Sequence, residues 1–184
     1  MRTTMRTESN ILQYLPIVKN IQIFHWLHED ELQKMLLISS IHHYGKGEKI
    51  ITQGEIGDAL FAVVSGNVEV FVKDKNKKEI PISRINTGEI FGESAIFLAT
   101  KRTASAICAS ETIVMKISRK NLIFYFKTYA HAGNKLLMLM ILNLLNKLKH
   151  ANEDLVLEKQ SDLDFDYVDT LIQDFISESD LPSD

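Results

Sequence analysis

Residues 45–92 read GKGEKIITQGEIGDALFAVVSGNVEVFVKDKNKKEIPISRINTGEIFG and hold seven of the chain's eight glycines. Glycine permits tight turns and close backbone approach. Between the glycines lie short stretches rich in β-branched and aromatic residues, at 49–52, 60–65, 67–73 and 79–85. Val68, Val70 and Val72 alternate with other residues and share one strand face. Two more stretches, 103–109 and 112–118, continue the pattern. Short strands with regular turn signals predict a β-sandwich or barrel. The stretch K-D-K-N-K-K-E at 73–79 reads as a solvated hairpin tip rather than a phosphate patch.

The flanks read as helices. Residues 9–20 and 29–38 carry apolar spacing near 3.6, with Glu29, Asp30 and Glu31 suited to a first turn. Pro16 is expected to break or kink the first of these segments. Ser118 reads as an N-cap for a helix over 119–129. A long helical pattern follows Gly133 and runs to about Lys159. Within it Leu137, Ile141, Leu144, Leu148, Ala151 and Leu155 form a heptad seam. A second stripe, Met138, Leu142 and Leu145, runs beside the seam. Two apolar stripes predict two contacts, one with the helix's own β-domain and one with a partner helix, giving a homodimer. At the end of the chain Phe165, Val168, Leu171, Ile172, Phe175 and Ile176 recur at helical spacing among acids, a candidate amphipathic tail.

The chain has 184 residues, enough for a sizeable core without covalent staples. Its longest apolar run, 136–142, is far short of the about 20 residues of a membrane helix. Residues 1–6 lack the apolar core of a secretory signal. The single cysteine, Cys108, excludes a disulfide framework and a Cys-rich zinc site, and it reads as an inert core thiol. A reducing, cytoplasmic home is expected. Net charge is −3, but residues 151–184 hold eleven acids against one base, Lys159. The totals of 24 acids and 21 bases leave 13 and 20 for residues 1–150, a balance of +7.

Chemistry concentrates in residues 88–106, GEIFGESAIFLATKRTASA. Gly92, Ser94 and Ala95 are small and permit close backbone approach to a ligand. A helix start offers N–H groups to an anion. Arg102 supplies a planar fork suited to phosphate. Glu93, acceptor-only when ionised, suits a sugar hydroxyl. Together they suggest a site for a phosphate joined to a ribose. Other arrangements are weaker. His42 and His43 are adjacent strand residues, which point to opposite faces and lack ligand partners at metal spacing. His25 and His28 fit one face of a helix surface. No serine or histidine lies in a nucleophile-elbow context, and no enzyme site is expected.

These residues resemble the cyclic nucleotide-binding domain family, which includes the bacterial catabolite activator protein and the regulatory subunits of protein kinase A. Phe91-Gly92-Glu93-Ser94-Ala95 followed by Arg102-Thr103-Ala104 matches the family's F-G-E-x-A and R-T-A. Lys46 through Phe61 and Ser65 through Phe71 match two upstream motifs, and the resemblance spans about residues 24–155. It implies an α+β fold: an antiparallel β-roll, or double-stranded jelly roll, with N-terminal helices and a long C-terminal helix. It also implies Glu93 on the ribose 2′-hydroxyl and Arg102 on the cyclic phosphate. Gly92 and Ala95 fall around the phosphate, and Thr103 can touch phosphate or base. Ser94 replaces a usually aliphatic residue, and Lys101 a frequent proline. The expected divisions are an N-terminal helical segment (1–40), a ligand-binding roll (41–129), a dimerisation helix (130–160) and an acidic tail (161–184).

The function this implies is a non-catalytic receptor for a cyclic nucleotide, cyclic AMP first, with no metal or cofactor. Thr103 keeps cyclic GMP open. A ligand-free interaction module, or a receptor for another nucleotide such as cyclic di-GMP, are the alternatives. The roughly 30 residues after the long helix, dominated by Asp and Glu, do not suit a basic helix-turn-helix, so a protein partner rather than DNA is expected. The expected mechanism is a population shift in which ligand favours closure of the long helix over the base.

Overall fold

The computed structural model describes residues 10–97 and 101–155. It is an α+β roll of two four-stranded antiparallel sheets flanked by helices. The acidic tail expected over 161–184 lies outside the described residues.

The first described element is a 3-10 turn, Ile11–Tyr14, that runs into α1, Leu15–Val18. Pro16 sits in the first turn of α1 rather than breaking a helix. Its missing N–H would have had no intrahelical acceptor there. A second 3-10 turn, Gln22–Phe24, leads to α2, Glu29–Leu37. His25 and His28 therefore flank a turn instead of sharing a helix face, and the Glu31 carboxylate accepts from the His28 N–H at 2.9 Å.

The strands follow as β1 Ser40–Tyr44, β2 Lys49–Ile51, β3 Ala59–Ser65, β4 Asn67–Lys73, β5 Glu79–Asn86, β6 Ile90–Phe91, β7 Ser105–Cys108 and β8 Thr112–Ser118. One sheet runs β1-β8-β3-β6 and the other β2-β7-β4-β5. The tip between β4 and β5 is held by Asp74, whose carboxylate accepts from the N–H groups of Asn76 and Lys78. Strand β6 was not among the predicted stretches. It is two residues long and exists by pairing with Phe61 and Ala62 of β3.

Strand β3 is buried on both faces. Leu60, Ala62 and Val64 face a core shared with Leu32, Met35 and Leu36 of α2 and with the C-terminal helices. Ala59, Phe61 and Val63 face a second core between the sheets, with Ile51, Val68, Ile85 and Ala106. Each fully buried aliphatic or phenyl side chain contributes roughly 1.5–3 kcal/mol. Cys108 is buried at 1% exposure, and burial pushes its thiol pKa up, as expected for an inert thiol.

Short helix α3, Ser94–Phe97, follows β6. Helix α4, Arg119–Thr128, starts at Ser118, whose hydroxyl accepts from the Asn121 N–H at 3.1 Å. Tyr125 of α4 is fully buried and donates to the Glu31 carbonyl at 3.1 Å. Helix α5, Ala130–Leu155, begins before Gly133 rather than after it. A Cβ at Gly133 would lie 2.9 Å from Phe126 Cα, so glycine lets α5 cross close over α4.

The packing of α5 corrects the two-stripe expectation. Ala132, Leu136, Leu139 and Met140 are apolar residues of α5 buried in the helix-side core, and Lys135 is buried as well. Of the predicted second stripe, Leu142 packs partly on that core, while Leu145 is 47% exposed. The predicted seam stays open: Leu137 and Leu144 are half-buried, while Ile141 and Leu148 are 47% and 58% exposed. The side chains of Ala151 and Leu155 lie outside the described residues.

Candidate functional site

Strand β6 delivers its chain end between the two sheets. Ile90 and Phe91 are buried, and Phe91 stacks on Phe61 with ring centres 5.1 Å apart. The backbone then turns sharply at Gly92, with φ +77, and enters α3. Only glycine takes this conformation without strain. Position also matters at Gly92, because a Cβ there would lie 2.7 Å from Arg102 Nη1 and 3.2 Å from the Ala59 carbonyl. Glycine thus gives the arginine room beside the turn.

A cavity of about 570 Å³ opens at this turn, and Gly92, Glu93, Ser94, Arg102 and Thr103 all line it. Five of the six sequence-predicted residues thus meet at one cavity. Ala95, the sixth, lies in α3. The opposite wall comes from the second sheet, with Val70, Ile82 and Arg84 among its residues. A volume of this size falls in the range of small-molecule sites.

Arg102 is half-buried, and two of its N–H donors are engaged with backbone. Nη1 donates to the Gly92 carbonyl at 3.1 Å and Nη2 to the Ala59 carbonyl at 2.9 Å. The guanidinium also lies 5.8 Å from the centre of the Phe61 ring. Burial pulls its pKa below the ordinary arginine value, and the carboxylates of Asp58, Glu93 and Glu55 oppose the shift. Arginine titrates so high that it stays charged. The loop that carries it is fixed by main-chain bonds on both sides, from Arg102 N–H to the Glu55 carbonyl and from Gly54 N–H to the Arg102 carbonyl. The result is a positioned cation with donors to spare, suited to an anionic ligand.

Glu93 is 6% exposed, among the few charged side chains in the interior. Its Oε1 accepts from Lys147 Nζ at 2.7 Å, and the same Nζ donates to the Ile90 carbonyl at 2.8 Å. Lys147 was not anticipated from sequence. A lysine in a polar stretch of helix carries no local signal of a partner 54 positions earlier. Arg84 was also missed. It alternates with Ile82 on the edge strand β5 and lies 3.5 Å from Glu69.

The remaining candidates stay apart from the cavity. His42 bonds to Ser40 at 2.8 Å, and burial, helped by Lys116 and His43, lowers its pKa. His43 lies 3.5 Å from the Tyr14 hydroxyl. Among the described residues no group of three or more His, Cys, Asp or Glu side chains could hold a metal. Among them, too, no helix is long and apolar enough to cross a membrane.

A family model described as "Cyclic nucleotide-binding domain" matches residues 41–129. The chain is 35% identical over 99 residues to a cGMP-dependent protein kinase of Drosophila melanogaster, isozyme 2 forms cD5/T2, a match covering 53% of this chain and 11% of the kinase. It is 30% identical over 104 residues to the cyclic AMP receptor protein of Thermus thermophilus, covering 56% of this chain and 48% of the receptor. The chain therefore spans about half or less of these relatives. The catabolite activator protein of the same bacterium superposes with a TM-score of 0.65 at 25% identity, over 73% of this chain and 61% of that one. A cyclic nucleotide-binding domain from Methylobacillus flagellatus shares the fold with a TM-score of 0.73 at 21% identity, over 87% and 91% of the two chains. The kinase is matched over only a small part of its length. Residues 41–129 thus belong to the cyclic nucleotide-binding domain family.

Proposed function

We propose that this protein is a non-catalytic receptor for a cyclic mononucleotide, cyclic AMP first, that signals to a protein partner through its C-terminal helices. One observation carries the reading: a single cavity brings the positioned cation of Arg102 and the buried carboxylate of Glu93 together. In this reading Arg102 pairs with the cyclic phosphate and Glu93 accepts from the ribose 2′-hydroxyl. Gly92 and Ser94 shape the phosphate turn, Ala95 lies beside it, and Thr103 meets phosphate or base. The apolar wall of Val70 and Ile82 suits a purine face. No metal or cofactor is required, and a cytoplasmic setting fits the reduced cysteine.

Cyclic GMP is the second reading, and a specific observation favours it. Arg84 lines the same cavity as Thr103. Arginine donates well to the O6 and N7 acceptors of guanine. The likeness to a cGMP-dependent kinase is compatible with this reading.

The exposed residues Ile141 and Leu148, with Leu137 and Leu144, support a homodimer through α5. The divisions at 1–40, 41–129, 130–160 and 161–184 are proposed from the sequence pattern, with the family model matching 41–129.

Calorimetry with cyclic AMP, cyclic GMP and cyclic di-GMP tests the reading. Arg102→Ala is expected to weaken binding about ten- to a hundredfold, since a charged hydrogen bond contributes roughly 1.5–3 kcal/mol. Glu93→Gln is expected to weaken it and to erase the preference for ribose over 2′-deoxyribose. Parent-like binding by both variants overturns the site assignment.

A further inference from the structure

Lys147 is the one described residue of α5 that lines the cavity. It stands seven positions, two helical turns, beyond the buried Met140, on the same body-facing row. Its ammonium bridges Glu93 and the Ile90 carbonyl, as given above. The pair is asymmetric: the Glu93 side chain is 9% exposed and that of Lys147 43%. A carboxylate so deeply placed is costly unless it is paired and hydrogen-bonded. Lys147 therefore supplies the counter-charge from a helix that could otherwise lift away.

The inference rests on the cyclic nucleotide reading of the cavity, because the carboxylate Lys147 holds is the one that reading gives to ribose. We propose that Lys147 is an internal competitor for the ligand. Without nucleotide it occupies Glu93 and ties the far end of α5 to the roll. An entering ribose hydroxyl takes Glu93, and the lysine and its stretch of helix are released. Two partners that exclude each other from one carboxylate weaken each other by the same factor. Occupancy of the pocket and docking of the helix end are then coupled directly. The released stretch carries Leu144 and Leu148, so the open apolar seam moves with it. This reverses the expectation that ligand closes the helix over the base.

The test uses the full chain, as parent, Lys147→Gln, Glu93→Gln and the double variant. Hydrogen exchange is followed over residues 141–149, with and without saturating cyclic AMP or cyclic GMP. Without nucleotide, each single variant is expected to speed exchange about two- to fivefold, the scale of a part-exposed ion pair. The double variant is expected to be no faster than either. Nucleotide is expected to bring the parent to the rate of Lys147→Gln. By calorimetry Lys147→Gln is expected to bind about two- to fivefold tighter than the parent. Unchanged exchange in Lys147→Gln overturns the latch whether or not ligand binds. Weaker binding by that variant also overturns it, because Lys147 would then be a ligand contact. Absence of heat with both nucleotides, in parent and variant alike, overturns the site assignment and the ligand-coupled half of the proposal. The exchange comparison without nucleotide still decides whether the pair holds the helix.

Discussion

The two faces of β3 meet different surroundings. Leu60, Ala62 and Val64 look into a core closed by α2, α4 and α5, where Leu32, Met35, Leu122 and Leu136 are fully buried. Ala59, Phe61 and Val63 look into the space between the sheets, where nine buried residues pack and the cavity opens beside them. One strand with strict alternation serves both, because successive side chains point to opposite faces. Helices cover the first core, whereas the cavity opens beside the second. Both faces contribute packing, and under the proposed function the inter-sheet face also borders the recognition site.

Leu60→Ala tests this division most strongly. It leaves a void in a closed core, and a loss of about 2–5 kcal/mol is expected by urea unfolding. Nucleotide affinity of the folded protein is expected to stay near the parent's. Val70→Ala, on the half-open side, is expected to cost about 1 kcal/mol while changing affinity more than Leu60→Ala does. Equal costs at the two sites would erase the distinction between the cores.

Gly92→Ala probes the junction between packing and site. A side chain at φ +77 costs roughly 1–2 kcal/mol. Its Cβ also forces Arg102 Nη1 to move. Loss of affinity by about tenfold, with a modest fall in stability, is expected from paired calorimetry and unfolding. Wild-type affinity would show that the arginine has freedom the crowded turn denies it.

Leu144→Glu acts on the open side of α5 and has the smallest expected effect on the fold, under about 1 kcal/mol. By sedimentation the parent is expected to be a dimer and the variant a monomer. A parent that sediments as a monomer at micromolar concentration removes the proposed interface.

Much of the roll was legible because its signals are local. Residues 112–118 were bounded as observed, and 67–73 likewise, since β-branched runs between turn residues need no distant information. Ser118 announced its helix by the same logic. Strand β6 was not legible, because two residues have no periodicity and gain their identity from β3. Gly133 looked like a boundary, but it serves a helix crossing that only the approach of Phe126 explains. The stripe on α5 was displaced because residues 136–142 are apolar throughout, so a heptad template and the true buried face fit equally well.

By itself, the order of residues determined which chemical groups this protein presents: a small-residue turn, a carboxylate at Glu93 and a guanidinium at Arg102, in a roll punctuated by glycines. Those are properties of residue types and short spacings, and they survive without knowledge of neighbours. Tertiary structure alone decided which face of α5 is buried, that Arg102 rests on the carbonyls of Gly92 and Ala59, and that Lys147 reaches Glu93. The physical reason is range. Turn and strand preferences act over a few residues, whereas an ion pair or a buried face depends on surfaces brought together from 43 or 54 positions apart.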